Sequence, residues 1–210
     1  MQYKIIEGIE QGTQEWHDLR CGSVGGTGLK EIITSSGNPR PSSRNHYLYH
    51  IAGEIIEGKS LEQWRGNAWT KRGHGLEAEA KAELAYKENL LLKDVTMIKH
   101  TSLYWHVSPD AILEDETGGV EVKCLGLEEY HNCKKRGVLP TKHILQVQGS
   151  LALTGWEYWW FFIYFPSLEP LCIKVERDED LISIIRAEIR MFCREVDEIL
   201  TTVKKGEELK

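Results

Sequence analysis

Polar and apolar positions along the chain alternate between two periods. Over residues 43–57 the apolar side chains Tyr47, Leu48, Ile51, Ala52, Ile55 and Ile56 recur at helical spacing, and Gly58 ends the run. A second helix is predicted over 71–87, with Leu76, Ala80 and Leu84 as its stripe. A third runs over 126–136, and a fourth over 141–154, where Ile144, Val147 and Leu151 face inward and Gly155 closes it. A long amphipathic helix spans 178–203, and the polar tail 204–210 is expected to fray. Thr13 can cap a short helix to about Arg20, and Thr27 can cap another over 28–34 after a glycine-rich turn.

Strands are predicted over 3–9, 94–99 and 103–107, the latter two leading into a hairpin at 110–124. In that hairpin Val120, Val122 and Cys124 alternate with Glu121 and Lys123, giving one apolar and one charged face. With an even loop Asp110 joins Glu121 and Lys123. Residues 156–165 form an uninterrupted aromatic run, read as a central strand covered on both faces, and 171–175 form a strand nearer an edge. Helices, a strand cluster, a helix pair, two strands and a helix fit an α/β sheet flanked by helices.

A chain of 210 residues, 41% hydrophobic, is enough for one sizeable core, so residues 1–210 are expected to form one domain. The strongest apolar run, 158–165, is far short of the roughly 20 residues of a membrane helix. Five cysteines without a Cys-x-x-Cys pair suit reduced thiols in a cytosol. The net charge of -6 counts mildly against a nucleic-acid partner.

The candidate chemistry lies in the hairpin. Pro109-Asp110 followed by Glu121-Val122-Lys123 is the PD-(D/E)xK pattern. Two close carboxylates repel each other, and a divalent cation between them removes that cost. Asp110 and Glu121 offer hard oxygens suited to Mg²⁺ or Mn²⁺, and the Val122 carbonyl can add one more. Lys123 can orient water or neutralise charge on a phosphate. The alternative is a charged, solvated hairpin face. A zinc site from Cys124, His131 and Cys133 lacks a fourth ligand. Trp64 and Trp69 can stack on a separated DNA end or pack in the core. Lys134, Lys135, Arg136 and Lys142 can track a DNA backbone or simply be solvated.

Five blocks occur in order: Glu15-Trp16-His17-Asp18-Leu19-Arg20-Cys21-Gly22, Arg72-Gly73-His74-Gly75-Leu76-Glu77, Ser108-Pro109-Asp110 with Glu121-Val122-Lys123-Cys124, Gln146-Val147-Gln148, and Val175-Glu176-Arg177-Asp178-Glu179. Together they resemble the phage lambda exonuclease and YqaJ-like viral recombinase family of PD-(D/E)xK nucleases, from about Gln11 to Glu179. The chain departs from the family pattern at Ala111, where Gly is usual, and at Leu125, where Pro is common; neither change removes a ligand.

The resemblance implies a restriction-endonuclease-like core with a mixed sheet. It implies Asp110, Glu121 and the Val122 carbonyl as metal ligands, Glu77 as a supporting carboxylate, Lys123 as the catalytic lysine and Gln146, rather than Gln148, as a catalytic glutamine. Arg20 and Thr27 match positions that hold a 5′-phosphate. The implied activity is a Mg²⁺-dependent 5′→3′ exonuclease, with two ions per site, that resects linear duplex ends to 3′ single strands and releases 5′-mononucleotides. The implied setting is a homotrimeric ring, a phage-type annealing partner and a phage- or prophage-encoded protein of the bacterial cytoplasm. An endonuclease or nicking enzyme on the same fold, or a non-catalytic DNA-end-binding module, are the alternatives.

Overall fold

The computed structural model describes the backbone of residues 2–61 and 68–208 and the side chains of residues 2–61 and 75–204. Trp64, Trp69 and the block 72–74 therefore lie outside the described side chains. Eight strands are β1 (Tyr3–Ile6), β2 (Leu92–Lys93), β3 (Met97–His100), β4 (His106–Val107), β5 (Ala111–Leu113), β6 (Gly118–Cys124), β7 (Tyr158–Tyr164) and β8 (Leu171–Glu176). Among the described residues the α-helices are α1 (Gln14–Arg20), α2 (Leu29–Ile32), α3 (Pro41–Glu57), α4 (Ala68–Glu88), α5 (Leu127–Arg136), α6 (Thr141–Thr154) and α7 (Glu179–Glu208), and a 3₁₀ turn at Gly26–Gly28 precedes α2.

The main sheet has the order β2-β5-β6-β7-β8 and is mixed. Its β6–β7 pair is parallel, and the others are antiparallel. The parallel pair needs a crossover, which α5 and α6 provide. This is the expected helix-flanked α/β architecture. On one face α4 lays Ala80 and Leu84 against Ala111, Val120, Val122, Phe162 and Tyr164. On the other, Trp159, Phe161 and Ile163 of β7 pack into the larger core with α6, α7 and α3. The aromatic strand is thus buried on both sides because helices cover both sides. Where β6 approaches β7 most closely, a side chain at Gly119 would meet the Trp159 ring at 2.3 Å.

Three expectations change. The segments around 94–99 and 103–107 do not extend the hairpin sheet. As β3 and β4 they form a separate antiparallel sheet with β1, order β1-β3-β4, in which Tyr3 faces His100. The neighbour of β5 is instead β2. Secondly, Thr27 does not cap α2. It lies inside the 3₁₀ turn, and Gly28 holds the cap position without a side-chain bond. Thirdly, α7 continues to Glu208, past the expected end at Val203. Polar residues end the buried stripe without ending the helix. Thr13 does cap α1, its side chain accepting from the Trp16 amide, and Gly58, Gly137 and Gly155 close α3, α5 and α6 with positive φ.

Candidate active site

The hairpin register aligns Ala111 with Val120 and Ile112 with Gly119. Asp110, one residue before β5, therefore comes opposite Glu121, and its amide donates to the Val120 carbonyl at 3.0 Å. Beyond Asp110 the hairpin ladder has no further strand to serve the next donor on β6. The carboxylate takes that role: Asp110 Oδ2 accepts from the Val122 amide at 2.6 Å.

Glu121 and Lys123 alternate onto the same face of β6, opposite Phe161 and Ile163 of the parallel neighbour. That face is not solvated. Glu121 is only 4% exposed, covered from the α6 side. The reading of this strand as a charged, solvent-facing surface is thereby overturned. Lys123 Nζ makes an ion pair and hydrogen bond with Glu121 Oε1. Gln146 of α6 hydrogen-bonds to Glu121 as well. Gln148, two residues on, points elsewhere: it is 4% exposed, donates to the Glu176 carbonyl at 2.8 Å and accepts from the Asp178 amide at 3.0 Å. Of the two glutamines, Gln146 is the one that reaches the hairpin.

Glu77 is held by Lys81, one helical turn on, with Nζ to Oε1 at 3.5 Å. Lys81 also binds Asp94 at 2.7 Å and donates to the Asp110 carbonyl at 3.2 Å, so α4 is tied directly to the hairpin. Glu77 lies close enough to raise the Asp110 carboxyl electrostatically. Among the described residues no three His, Cys, Asp or Glu side chains cluster as a metal site. What the fold brings together is the Asp110–Glu121 pair, with Glu77 at its margin. The Cys124, His131 and Cys133 candidate dissolves too, and none of the five cysteines forms a disulfide.

The electrostatics show what the pair lacks. Burial pushes Asp110 up to about 6, against the pull of Lys123 and with the help of Glu77. Burial likewise pushes Glu121 up to about 7, opposed by Lys123 and assisted by Asp110. Burial would lower Lys123, but Glu121 and Asp110 outweigh it and hold the ammonium above its ordinary value. Two desolvated carboxylates beside one cation remain short of positive charge. Hard oxygens in such a setting fit a divalent ion such as Mg²⁺ or Mn²⁺.

Arg20 and Thr27 come from the other end of the chain yet reach the same region. They line a cavity of about 700 Å³ that Lys123 also lines, together with Trp16, Ser23, Gly25, Tyr47 and His106. The Arg20 guanidinium stacks over the Trp16 ring at 4.1 Å. Burial lowers its pKa, and Tyr47 and Glu54 partly restore it. Beneath it Glu54 is committed to the chain, its Oε2 accepting from the Gly22 amide at 2.9 Å.

The decisive comparison is of sequence. The model of the YqaJ-like viral recombinase domain matches residues 15–157, a span that contains every one of these side chains. The chain belongs to the YqaJ-like viral recombinase family. Among solved structures, this YqaJ-like chain is similar to an alkaline exonuclease, LHK-Exo, from Laribacter hongkongensis. The TM-score is 0.81 at 27% identity, covering 94% of this chain and all of that one. LHK-Exo in complex with dAMP aligns equally well, at 26% identity. A phage-related exonuclease from Haemophilus somnus 129PT shares the fold, with a TM-score of 0.63, 16% identity and coverage of 89% of this chain and 99% of that one. No curated protein matches in sequence.

Four neighbours of the YqaJ-like site escaped the sequence reading. His143 hydrogen-bonds to Gln146 and packs tilted against Phe161, ring centroids 4.9 Å apart; burial first, then Lys123 and Lys142, lower it to about 4. Its i, i+3 spacing to Gln146 was the available signal. Lys81 and Trp16 stand one turn from Glu77 and Arg20, again a helical spacing. His106 had no such signal, because β4 reaches the cavity through a sheet assembled from distant segments.

Proposed function

We propose that this protein is a Mg²⁺-dependent 5′→3′ exonuclease that resects linear duplex DNA to leave 3′ single strands. Family membership and the likeness to an alkaline exonuclease support the coarser reading, a phage-type exonuclease that hydrolyses DNA. The observation that carries the finer reading is the meeting of two parts. The buried Asp110–Glu121–Lys123 face and the Arg20–Thr27 cavity share Lys123 as a common wall. One part suits a scissile phosphodiester and the other a terminal phosphate.

Asp110 and Glu121, with the Val122 carbonyl and Glu77 in support, would hold the cation, and two ions per site are proposed. Held there, Mg²⁺ would polarise a phosphate oxygen and acidify water. Lys123 places an ammonium beside the reacting phosphate and offsets its growing negative charge. Gln146, anchored to Glu121 and His143, directs its amide toward the same phosphate or the attacking water. The reaction breaks the P–O3′ bond and frees a 5′-mononucleotide. Arg20, stacked and desolvated, offers paired donors for the 5′-phosphate, with the Thr27 hydroxyl beside it. A homotrimeric ring around the duplex and a phage-type annealing protein that takes up the 3′ strand complete the proposal.

The test compares linear duplexes carrying 5′-phosphate or 5′-hydroxyl ends with covalently closed circles, with and without Mg²⁺. Expected are mononucleotides from the phosphorylated linear duplex, slower loss of the hydroxyl-ended one and intact circles. Equal cutting of circles would replace the exonuclease with an endonuclease. Absence of any Mg²⁺- or Mn²⁺-dependent cleavage would leave a DNA-end-binding module.

A further inference from the structure

One buried polar atom beside Arg20 has no partner. His106, at the start of β4, is 2% exposed. Its Nδ1 meets Ser23 Oγ at 3.0 Å, but its Nε2 makes no hydrogen bond among the described residues. Orphaned buried nitrogens are costly and call for an explanation. The imidazole lines the same cavity as Arg20, Thr27 and Lys123.

Gly25 shows where the two side chains converge. A Cβ built there would lie 3.1 Å from His106 Nε2 and 3.4 Å from Arg20 Nη2. Gly25 has φ -83° and ψ 166°, extended backbone that any residue adopts. Glycine is therefore not required by the backbone. It keeps clear the space on which both nitrogens bear. Arg20 is positioned beside it by the Trp16 ring, 4.1 Å from the guanidinium carbon.

We propose that His106 is a further ligand of the terminal 5′-phosphate, donating from Nε2 into the cradle that Gly25 leaves open beside Arg20. This rests on the reading of the Arg20 cavity as the 5′-phosphate pocket. In this arrangement the Ser23 hydroxyl would donate to Nδ1 across their 3.0 Å contact, leaving the ring proton on Nε2. Burial, with Arg20 and Lys99 nearby, keeps the free ring neutral. The neutral ring then contributes a directed donor while Arg20 contributes the charge. A phosphate monoester, with three terminal oxygens, can engage both at once; an internal diester has only two, and a 5′-hydroxyl has none.

The experiment measures binding of 5′-phosphorylated and 5′-hydroxyl duplexes by fluorescence anisotropy in chelator, so that no cleavage intervenes. The quantity read is the ratio of the two affinities. His106→Asn keeps a group facing Ser23 and loses the Nε2 position, and the ratio is expected to fall roughly tenfold or more. His106→Gln can place an amide near the lost position and should recover part of it. Gly25→Ala, which fills the cradle against both nitrogens and replaces neither side chain, should lower the ratio as well.

A wild-type ratio near one would remove the 5′-phosphate pocket and this inference with it. A wild-type preference that Arg20→Ala abolishes but His106→Asn and Gly25→Ala leave intact would keep the pocket and overturn the role of His106. Should the variants fail to fold, imidazole ¹⁵N spectra of the wild type decide. The His106 Nε2 resonance should move with a 5′-phosphorylated duplex more than with its 5′-hydroxyl counterpart, and equal spectra would overturn the proposal.

Discussion

At the scale of single residues, the site is a contest for one short-range supply of positive charge. Lys123 is already paired with Glu121, so an incoming divalent ion must compete with an ammonium fixed in place. Lys123→Met is therefore expected to abolish turnover yet to bind Mn²⁺ more tightly than wild type, which titration calorimetry would show. The raised acids give a pH prediction. Asp110, near 6, and Glu121, near 7, hold protons more firmly in the folded chain than in the unfolded one. In chelator the folded state thus gains stability at low pH and loses it as pH climbs from about 4 through 7. Lys123, also raised, loses its contribution only in strong alkali. Melting temperatures across that window should fall, Glu121→Gln should flatten the trend, and added Mg²⁺ should stabilise more at pH 8 than at pH 6. Alternation along β6 made the pairing of Asp110, Glu121 and Lys123 legible from the sequence. The depth of Glu121 was not, because alternation separates two faces without saying what covers either.

At the scale of elements, α6 divides its labour between neighbouring positions. Gln146 reaches the hairpin, while Gln148 joins β8 to the start of α7 through Glu176 and Asp178. Residues two apart on a helix face different ways. Gln148→Leu should therefore cost about 2 kcal/mol of stability, by stranding two backbone groups, and leave turnover per folded molecule near wild type. Gln146→Leu should do the reverse, lowering kcat at nearly unchanged melting temperature. Helix boundaries at Thr13, Gly58 and Gly155 were readable because caps are local chemistry. The allocation of β3 and β4 to a second sheet was not, since Tyr3 and His100 are distant in the chain. The same distance hid His106.

At the scale of the whole molecule, an acidic chain can still receive a polyanion. Glu54 lines the cavity but is engaged by the Gly22 and Leu61 amides, while Arg20 and Lys123 border the same space. The basic cluster in the last turn of α5, with Lys142, is less available than the sequence suggested. Lys134 pairs with Glu169 at 3.4 Å, and Lys142 pairs with Glu129. No helix among the described residues is long and apolar enough to cross a membrane. The apolar layers on both sides of the sheet hold the fold without an ion, so a chelator should stop turnover and leave the far-ultraviolet circular dichroism unchanged. The parallel β6–β7 pair has a consequence in time. The carboxylate hairpin leaves the ribosome early, but the strand that shields one side of it follows only after α6. Until Tyr158–Tyr164 docks beside β6, Glu121 and Lys123 lack their parallel neighbours Phe161 and Ile163, and the acids stay hydrated.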